Sequence, residues 1–223
     1  MSFNIAIDGP AGAGKSSAAK LAAKELGFIY VDTGAMYRTI ALYLLQNHVD
    51  IDKEEDLKEA LDHIDVSMSY EGGVQHMFLN GEDVSGLIRT QEVSDMASRS
   101  SAHPAVREKL LSLQRELAAK EDVLMDGRDI GTAILPDADL KIFLTASTQE
   151  RAMRRYRELS QRGDSCSLEE IRRQIEERDY RDSHRETSPL TKAEDAVLLD
   201  TSDMTLEEAA AKIVSMAKEQ MDV

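Results

Sequence analysis

The segment Gly9-Pro10-Ala11-Gly12-Ala13-Gly14-Lys15-Ser16 decides the fold prediction, because it matches the pattern G-x-x-x-x-G-K-[ST]. It stands directly between an apolar run that predicts a strand and an alanine-rich run that predicts a helix. In this setting successive backbone N–H groups and the helix N-terminus face a phosphate. The alternative is an ordinary glycine-containing turn. The segment predicts a phosphate-binding loop (P-loop) for a nucleoside triphosphate.

Individual roles follow from the chemistry of such a loop. Lys15 is expected to reach the β- and γ-phosphates, and the Ser16 hydroxyl to bind Mg²⁺. Asp126, at the end of another apolar run, is a candidate to hold a Mg²⁺-bound water, or alternatively a helix or turn cap. For Asp8 the cap is the preferred interpretation. The residues expected around the ATP phosphates are Gly9, Pro10, Ala11, Gly12, Ala13, Gly14, Lys15, Ser16 and Ser17.

Around the loop, strand-like and helix-like segments alternate, which predicts an α/β fold with a parallel sheet and right-handed crossovers. Continuous apolar character indicates buried parallel strands. The predicted strands are Phe3–Asp8, Phe28–Asp32, Val123–Asp126, Leu140–Thr145 and Ala196–Asp200. Helical patterns cover Ser16–Leu26, with Leu21 and Leu26 pointing inward, and Met36–Leu45, and others begin at Pro104, Ser167 and Thr205, the last two with capping boxes.

One stretch departs from this alternation. Val66–Tyr70 and Val74–Leu79 read as strands, separated by Glu71-Gly72-Gly73 and followed by Asn80-Gly81. Glycine-rich connections of this kind are typical of β-hairpins. The stretch therefore predicts a small antiparallel insertion into the parallel core.

Composition limits the function classes. The 223 residues carry 27 Lys+Arg against 42 Asp+Glu, a formal charge of −15. Such an acidic chain is repelled by nucleic acid and by anionic membranes, so neither is an expected partner. One cysteine, Cys166, excludes an internal disulfide and fits a reducing compartment. No apolar run is long enough to span a membrane and the N-terminus lacks a basic leader, so we expect a cytoplasmic protein.

Arginine is concentrated in one window. Ten of the sixteen arginines fall within residues 151–185, where there is no lysine and the net charge is +2. Because Arg suits bidentate phosphate contacts, the window predicts a specific anion site. Its first group, on one predicted helix, is expected to close over a triphosphate; the alternative is a solvated helix with pairs such as Arg154–Glu158. This group comprises Arg151, Arg154, Arg155, Arg157 and Arg162.

A second group shares one face of the helix that begins at Ser167: Arg178, Arg181, Asp182 and Arg185. Asp182 is expected to hold Arg178 and Arg185 while a free oxygen meets a sugar hydroxyl; the alternative is a surface ion-pair ladder. Ligands of open parallel sheets bind beyond the carboxyl ends of the strands. Residues after two predicted strands should therefore converge near the P-loop: Thr33, Arg38, Arg128 and Asp129.

A P-loop alone leaves kinases, ATPases and GTPase switches open. The sequence has no Asn-Lys-x-Asp segment for guanine, which disfavours a regulatory switch, and its length suits a small-molecule kinase. A different small-molecule kinase or a P-loop binding module remains the alternative.

Five motifs together resemble the bacterial cytidylate kinases, along nearly the whole chain from about residue 3 to 220. They are Ile-Asp-Gly-Pro-Ala-Gly-Ala-Gly-Lys-Ser (7–16), Asp-Thr-Gly-Ala-Met-Tyr-Arg (32–38), Ile-Arg-Thr-Gln-Glu-Val (88–93), Asp-Gly-Arg-Asp-Ile-Gly-Thr (126–132) and Arg-Asp-Tyr-Arg-Asp-Ser-His-Arg (178–185). The second and fourth, in this order, separate the chain from adenylate, guanylate, thymidylate and shikimate kinases. Some members of the family have Gly where this chain has Ser16.

The resemblance implies a single P-loop nucleoside-monophosphate kinase domain over 1–223, with a five-stranded parallel sheet flanked by helices. A monophosphate-binding region would cover 33–105, including the β insertion at about 64–84, and a short lid would cover 151–165. The implied reaction is transfer of the ATP γ-phosphate to CMP, and to dCMP, with Mg²⁺ as cofactor, in pyrimidine nucleotide metabolism. A monomer is expected.

The resemblance also implies site roles. Ser98, Arg107 and Asp129 would recognise cytosine, Arg178 and Asp182 the ribose, and Arg38, Arg128 and Arg185 the CMP phosphate, with Thr33 nearby. The implied catalytic set is Lys15, Arg38, Arg128, Arg154 and Arg157, and the metal set is Ser16 with Asp126 through water.

Overall fold

The computed structural model describes residues 2–162 and 167–221. Strands and helices alternate as the sequence predicts, with bounds that differ by a few residues. The strands are β1 (Asn4–Asp8), β2 (Ile29–Asp32), β3 (Val66–Glu71), β4 (Val74–Leu79), β5 (Glu82–Asp83), β6 (Val123–Gly127), β7 (Leu140–Thr145) and β8 (Val197–Asp200). The helices are α1 (Lys15–Leu26), α2 (Thr33–Gln46), α3 (Glu54–Asp62), α4 (Gln91–Ser100), α5 (Pro104–Lys120), α6 (Thr148–Arg162), α7 (Leu168–His184) and α8 (Leu206–Met221).

The five predicted strands form one parallel sheet in the order β2-β6-β1-β7-β8, which confirms the α/β fold. The register sets Asp32 opposite Asp126 and Asp8 opposite Gly127. The carboxyl ends of three neighbouring strands therefore meet at one edge. Strand order reverses next to β1, which is where ligands of open α/β sheets bind.

Two apolar layers cover the sheet. Residues of α2, α4 and α5 pack on one face around Met36 and Ile40, and α1 and α8 pack on the other around Ile5 and Ile213. Alanines on α1 make the close approach to α8 possible. The predicted inward position of Leu21 is wrong, because its side chain is 40% exposed and the alanines Ala18, Ala19, Ala22 and Ala23 face the core.

The small antiparallel insertion is confirmed as the three-stranded sheet β3-β4-β5. Gly72 and Gly73 have φ of 57° and 77°, as a tight hairpin turn requires. Asn80 and Gly81 make the second turn with φ of 51° and 86°.

Helix α2 begins three residues earlier than its apolar pattern predicts, because the Asp32 carboxylate accepts a hydrogen bond from Ala35 N at 2.8 Å and caps the helix. Both predicted capping boxes begin helices. Ser167 Oγ accepts from Glu170 N at 3.1 Å, and Thr205 N donates to Glu208 Oε2 at 2.8 Å. Among the described residues no helix is long and apolar enough to cross a membrane.

Candidate active site

A cleft of about 570 Å³ opens at the carboxyl ends of β2 and β6. One wall is the P-loop end, which comprises Ala11 to Ser17. The opposite wall is the arginine end, which comprises Arg38, Arg107, Arg128, Arg178 and Arg185. A cleft of this volume accommodates small-molecule ligands.

Steric limits hold the P-loop end in place. Gly9 has a φ of 147°, and a Cβ there would lie 1.9 Å from the carbonyl oxygen of Leu144 on β7. Gly14, with φ of 87°, is the N-cap of α1. The loop therefore turns directly from β1 into the N-terminus of α1. Of the predicted ATP residues, Ala11 through Ser17 line the cleft, whereas Gly9 and Pro10 lie behind that wall.

Lys15 is a buried lysine, 5% exposed, at the bottom of the P-loop end. Its Nζ donates to the carbonyl oxygen of Pro10 at 2.8 Å. Burial, together with the nearby Arg128 guanidinium, lowers the pKa of Lys15 to about 7. An anion entering the cleft would favour the charged form of this amine.

Asp126 connects the P-loop end to β2 through its carboxylate. Oδ2 accepts from the Ser16 hydroxyl at 2.7 Å, and Oδ1 accepts from the Tyr30 hydroxyl at 3.1 Å. Burial and the neighbouring Asp32 carboxylate raise the pKa of Asp126 to about 6. Its oxygens face side-chain hydroxyls rather than a helix N-terminus. A hydroxyl beside a carboxylate supplies the hard oxygen ligands that suit Mg²⁺.

Asp8 has the cap role that the sequence favoured. Its two carboxylate oxygens accept from Ile130 N at 2.7 Å and Gly131 N at 2.8 Å. These N–H groups begin the π-helical turn Ile130–Ile134. Asp8 therefore ties the strand before the P-loop to the turn after Arg128 and Asp129.

Each of three guanidiniums at the arginine end contacts a carboxylate. Arg38 Nη2 donates to Asp32 Oδ2 at 2.9 Å. Arg128 Nε donates to Asp182 Oδ2 at 2.9 Å. Arg107 Nη2 contacts Asp129 Oδ2. All three pairs are largely shielded from solvent.

The cytosine residues implied by the resemblance, Ser98, Arg107 and Asp129, all line the cleft. The Arg107 guanidinium lies over the Tyr37 ring, 5.6 Å from its centroid, which fixes its plane. Arg185 Nη2 approaches Asp129 Oδ1 at 3.6 Å from the other side. One buried carboxylate thus faces two guanidiniums.

Asp182 differs from the expectation in its partners. The carboxylate accepts from Arg128 and, at 3.4 Å, from the Ser98 hydroxyl, rather than holding Arg178 and Arg185. The physical reason is long-range packing, which brings Arg128, the residue after β6, within 2.9 Å of Asp182 across 54 residues of sequence. Burial alone would raise the pKa of Asp182, but Arg128 and Arg178 hold it below the ordinary value.

Several buried donors at the arginine end form no hydrogen bond with the described residues. Arg38 Nε, Arg178 Nε and Arg185 Nη2 are buried nitrogens without a hydrogen bond. Burial and the Arg128 charge lower the pKa of Arg178 to about 10. Buried donors are almost always satisfied in native proteins, so unpartnered guanidinium donors around a cleft indicate a site for an anion. Thr33 lies beside them, with its hydroxyl donating to Asp126 O at 2.7 Å.

The arginines of α6 divide into separate groups. Arg151 is buried, with Nη1 donating to Ala11 O at 3.1 Å and Nη2 lying 2.6 Å from Asp179 Oδ2. Arg154 donates to Ala13 O at 3.1 Å and to Thr201 O at 2.6 Å. Both line the cleft and bind carbonyl groups of the P-loop.

Arg155 and Arg157 of α6 do not contact the P-loop carbonyl groups that Arg151 and Arg154 bind. Arg155 lines the cleft and pairs with Glu158 at 2.9 Å. Glu158 therefore pairs with Arg155, whereas the sequence suggested a pair with Arg154. Arg157 is exposed and lies outside the cleft wall, and its catalytic role stays a prediction. The last residues of the predicted lid, 163–165, and Cys166 lie outside the described residues.

Three residues at this site escape sequence reasoning. Tyr30 has an ordinary strand position, and its hydroxyl meets Asp126 only because β2 and β6 are neighbours. Thr201 follows β8 and contacts Ala13 O at 3.3 Å across 188 residues of sequence. Asp179 was one acid among several on α7. Each depends on long-range packing, which leaves no local signal.

Comparisons with known proteins agree on one family. A family model described as cytidylate kinase matches residues 5–219. A protein of Lactobacillus johnsonii named cytidylate kinase is 50% identical over 218 residues, which is 98% of this chain and 95% of that protein. One of Carboxydothermus hydrogenoformans with the same name is 48% identical over 221 residues, covering 99% of this chain and all of the relative.

The fold has a counterpart among solved structures. A crystal structure of an uncharacterised protein from Eubacterium ventriosum superposes with a TM-score of 0.54 at 14% identity, covering 98% of this chain and 99% of that one. At this identity the likeness concerns the fold alone.

Proposed function

The chain belongs to the cytidylate kinase family, and we propose that it transfers the γ-phosphate of ATP to CMP, and also to dCMP, giving ADP and the diphosphate. The observation that carries this proposal is a cleft lined both by a P-loop and by buried guanidinium donors that form no hydrogen bond with the described residues. Two phosphates bound at these walls would face each other. The family membership makes a nucleoside monophosphate the natural occupant of the arginine end.

ATP would bind with its β- and γ-phosphates at the P-loop end. Helix α1 begins at Lys15 with Gly14 as its N-cap, so its N-terminus and the N–H groups of the loop would bind these phosphates. Lys15 would leave Pro10 O and bridge the β- and γ-phosphates, where the two negative charges restore its positive form. Arg154 and Arg157 are proposed to neutralise charge on the transferred group once α6 moves toward it.

CMP would bind at the arginine end. Arg38, Arg128 and Arg185 are proposed to hold its phosphate, and Arg178 with Asp182 its ribose. Ser98, Arg107 and Asp129 supply a hydroxyl, a guanidinium and a carboxylate, which suit the N3, O2 and 4-amino groups of cytosine. Thr33 would lie beside the phosphate.

Mg²⁺ is proposed as the cofactor that accompanies ATP. Ser16 Oγ would be its protein ligand, and Asp126 would hold one of its waters, in agreement with their present separation of 2.7 Å. When bound, the ion supplies neutralisation of charge on the β- and γ-phosphate oxygens. Tyr30 would keep the Asp126 carboxylate oriented toward Ser16.

The proposed reaction is an in-line displacement. An oxygen of the CMP phosphate attacks the γ-phosphorus, the bond from that phosphorus to the β–γ bridging oxygen breaks, and ADP leaves with the bridging oxygen. The attacking phosphate is already ionised, so no protein base is required. Positioning and charge neutralisation by Lys15, Arg38 and Arg128 provide the catalysis.

The ion pairs of the arginine end affect which ligands this end would bind. Arg38, Arg107 and Arg128 each contact a carboxylate in the free protein. A phosphate or base that approaches must share or replace these contacts. Replacing several of these contacts at once favours CMP, which has both a phosphate dianion and the hydrogen-bonding groups of cytosine, over a simple anion.

The parts of the chain take proposed roles accordingly. Residues 33–105, including the insertion, would bind the monophosphate, and residues 151–165 would close over ATP as a lid within one kinase domain over 1–223. The partners would be small nucleotides, and the chain would act as a monomer in pyrimidine nucleotide metabolism.

A coupled ADP-release assay with CMP, dCMP, UMP and AMP in parallel tests the proposal. We expect rapid turnover with CMP, measurable turnover with dCMP, and little with AMP, all dependent on added Mg²⁺. Equal turnover with AMP would contradict cytosine recognition. ADP release that is independent of any monophosphate would instead indicate an ATPase.

A further inference from the structure

The small antiparallel sheet approaches the edge of the parallel sheet through one polar side chain, Gln75 of β4. Alternate residues of a strand share a face, so Gln75, Met77 and Leu79 lie on the same side of β4. Met77 and Leu79 are buried in the core, with exposures of 1% and 7%. Gln75 lies on the same face of β4, beside Asp32 at the end of β2.

There the Gln75 amide pairs with the backbone of Asp32 in both directions. Asp32 N donates to Gln75 Oε1 at 2.8 Å, and Gln75 Nε2 donates to Asp32 O at 3.3 Å. β2 is an edge strand whose other side pairs with β6. Because a side-chain amide carries the donor and acceptor of a peptide group, Gln75 occupies the position that a neighbouring strand would take at this one residue.

The hydrogen bonds from Gln75 fix the backbone of Asp32, and the Asp32 side chain has two contacts of its own. Its Oδ1 accepts from Ala35 N at 2.8 Å and caps α2, while its Oδ2 accepts from Arg38 Nη2 at 2.9 Å. A shift of the Asp32 backbone would therefore move both the start of α2 and the Arg38 guanidinium. Gln75 is 43 residues away in sequence and belongs to the insertion.

We propose that Gln75 is a positioning residue for the acceptor: through Asp32 it holds Arg38 where the phosphate of a nucleoside monophosphate docks. The insertion then contributes to substrate binding without touching the substrate. This inference rests on the proposed function, since it requires Arg38 to meet the acceptor phosphate.

The first test compares Gln75→Leu with His76→Leu. Leucine keeps the volume of glutamine and loses both hydrogen bonds to Asp32. His76 is the next residue on β4, points to the other face and pairs with Asp83 at 3.2 Å, so it is a matched control. Kinetics with varied CMP and varied ATP, and thermal denaturation, are measured for both variants and for the unaltered chain.

For Gln75→Leu we expect a rise of about 3- to 10-fold in the KM for CMP, the size expected for one or two lost hydrogen bonds. The KM for ATP should stay within about twofold, because the P-loop end does not contact Gln75. Any fall in kcat should be smaller than that of Arg38→Met, because Gln75→Leu leaves the Arg38 guanidinium in the site. His76→Leu should leave all three values unchanged. Equal KM values for CMP in Gln75→Leu and the unaltered chain would overturn the proposal.

A double-mutant cycle separates positioning from mere folding. Calorimetry gives the CMP Kd of Arg38→Met with and without Gln75→Leu. If Gln75 acts through Arg38, its substitution weakens CMP binding by less than about twofold in this background. A full loss there would overturn the proposed route. If Gln75→Leu is poorly folded, Gln75→Glu serves in its place, because it also lacks the donor to Asp32 O.

The unaltered chain distinguishes the two levels of failure. If it phosphorylates CMP and Gln75→Leu leaves the KM for CMP unchanged, only the positioning role fails. If it binds and phosphorylates no CMP at all, the proposed function fails and this role falls with it.

Discussion

The two ends of the cleft are built in opposite ways. The P-loop end comes from consecutive residues, and its geometry depends on glycine conformations and on one close approach of backbone to backbone at Gly9. The arginine end gathers side chains from α2, α5, β6 and α7 that lie between Arg38 and Arg185 in sequence. Its geometry depends on pairs of guanidinium and carboxylate groups.

This difference separates general phosphate binding from specific recognition. Backbone N–H groups and one lysine bind a triphosphate in any nucleotide. Paired charges hold the arginine end in place on a protein with a formal charge of −15, and under the proposed function a ligand must satisfy several of them at once. Variants at the P-loop end should therefore affect turnover, and variants at the arginine end should affect which substrate is used.

The largest effect is expected at Lys15. Lys15→Ala removes the cation proposed to bridge the transferred phosphate, so kcat should fall by about 10³-fold. CMP affinity measured by calorimetry should change little, because Lys15 belongs to the opposite wall. Lys20→Ala, on the exposed side of α1, is the control and should behave as the unaltered chain. Near-normal turnover of Lys15→Ala would contradict the assignment of turnover to the P-loop end.

A smaller but more selective effect is expected at Arg107. Arg107→Met removes the proposed cytosine contact and leaves the buried Asp129 beside Arg185. We expect kcat/KM for CMP to fall by about 10²-fold, in line with a lost buried charge contact. The loss for UMP should be clearly smaller. Lys109→Met, exposed on the same helix, is the control, and equal losses for both substrates would argue against base recognition.

At Asp182 the expected effect is about tenfold and concerns the sugar. Asp182→Asn weakens the contact with Arg128 and removes the charged acceptor proposed for a ribose hydroxyl. The ratio of kcat/KM for CMP to that for dCMP should therefore fall by about 10-fold. Glu176→Gln on the exposed face of α7 serves for comparison. An unchanged ratio would remove Asp182 from the sugar site.

The smallest effect on activity is expected at Asp8, which links the two ends. Burial raises its pKa from 3.8 to about 6, so the folded protein binds this proton more tightly than the unfolded chain does. Its contribution to stability is present below pH 4 and is lost as pH rises through 6, by about 3 kcal/mol.

Denaturant unfolding of Asp8→Asn from pH 4 to pH 7 checks this sign. The free energy of unfolding of the unaltered chain minus that of the variant should decrease over the interval. Asp62→Asn, at an exposed acid, should give a constant difference. A difference that instead grows with pH would mean that the hydrogen bonds from Ile130 and Gly131 outweigh burial.

The same contrast explains what the sequence could predict. The P-loop, the parallel strands and the capping residues are local patterns, so their positions follow from the residues themselves. Arg107 and Ser98 were predicted as site residues only from the family resemblance, because the sequence around them carries no motif.

The hydrogen-bond and ion-pair partners of these side chains, in contrast, depend on which strands and helices pack together. Asp182 holds Arg128 rather than its helix neighbours, and Arg151 holds Ala11 O rather than an open position on a lid. Gln75 and Tyr30 contact their partners across 43 and 96 residues of sequence. No periodicity or motif carries such information.

Competition by a bisubstrate compound, adenosine joined to cytidine through five phosphates, tests most directly that the two ends hold the two reacting nucleotides at once. The account predicts inhibition that is competitive against both ATP and CMP, with a Kd at least about 100-fold below that of either nucleotide alone. Competition against ATP alone, with CMP still bound normally, would contradict it.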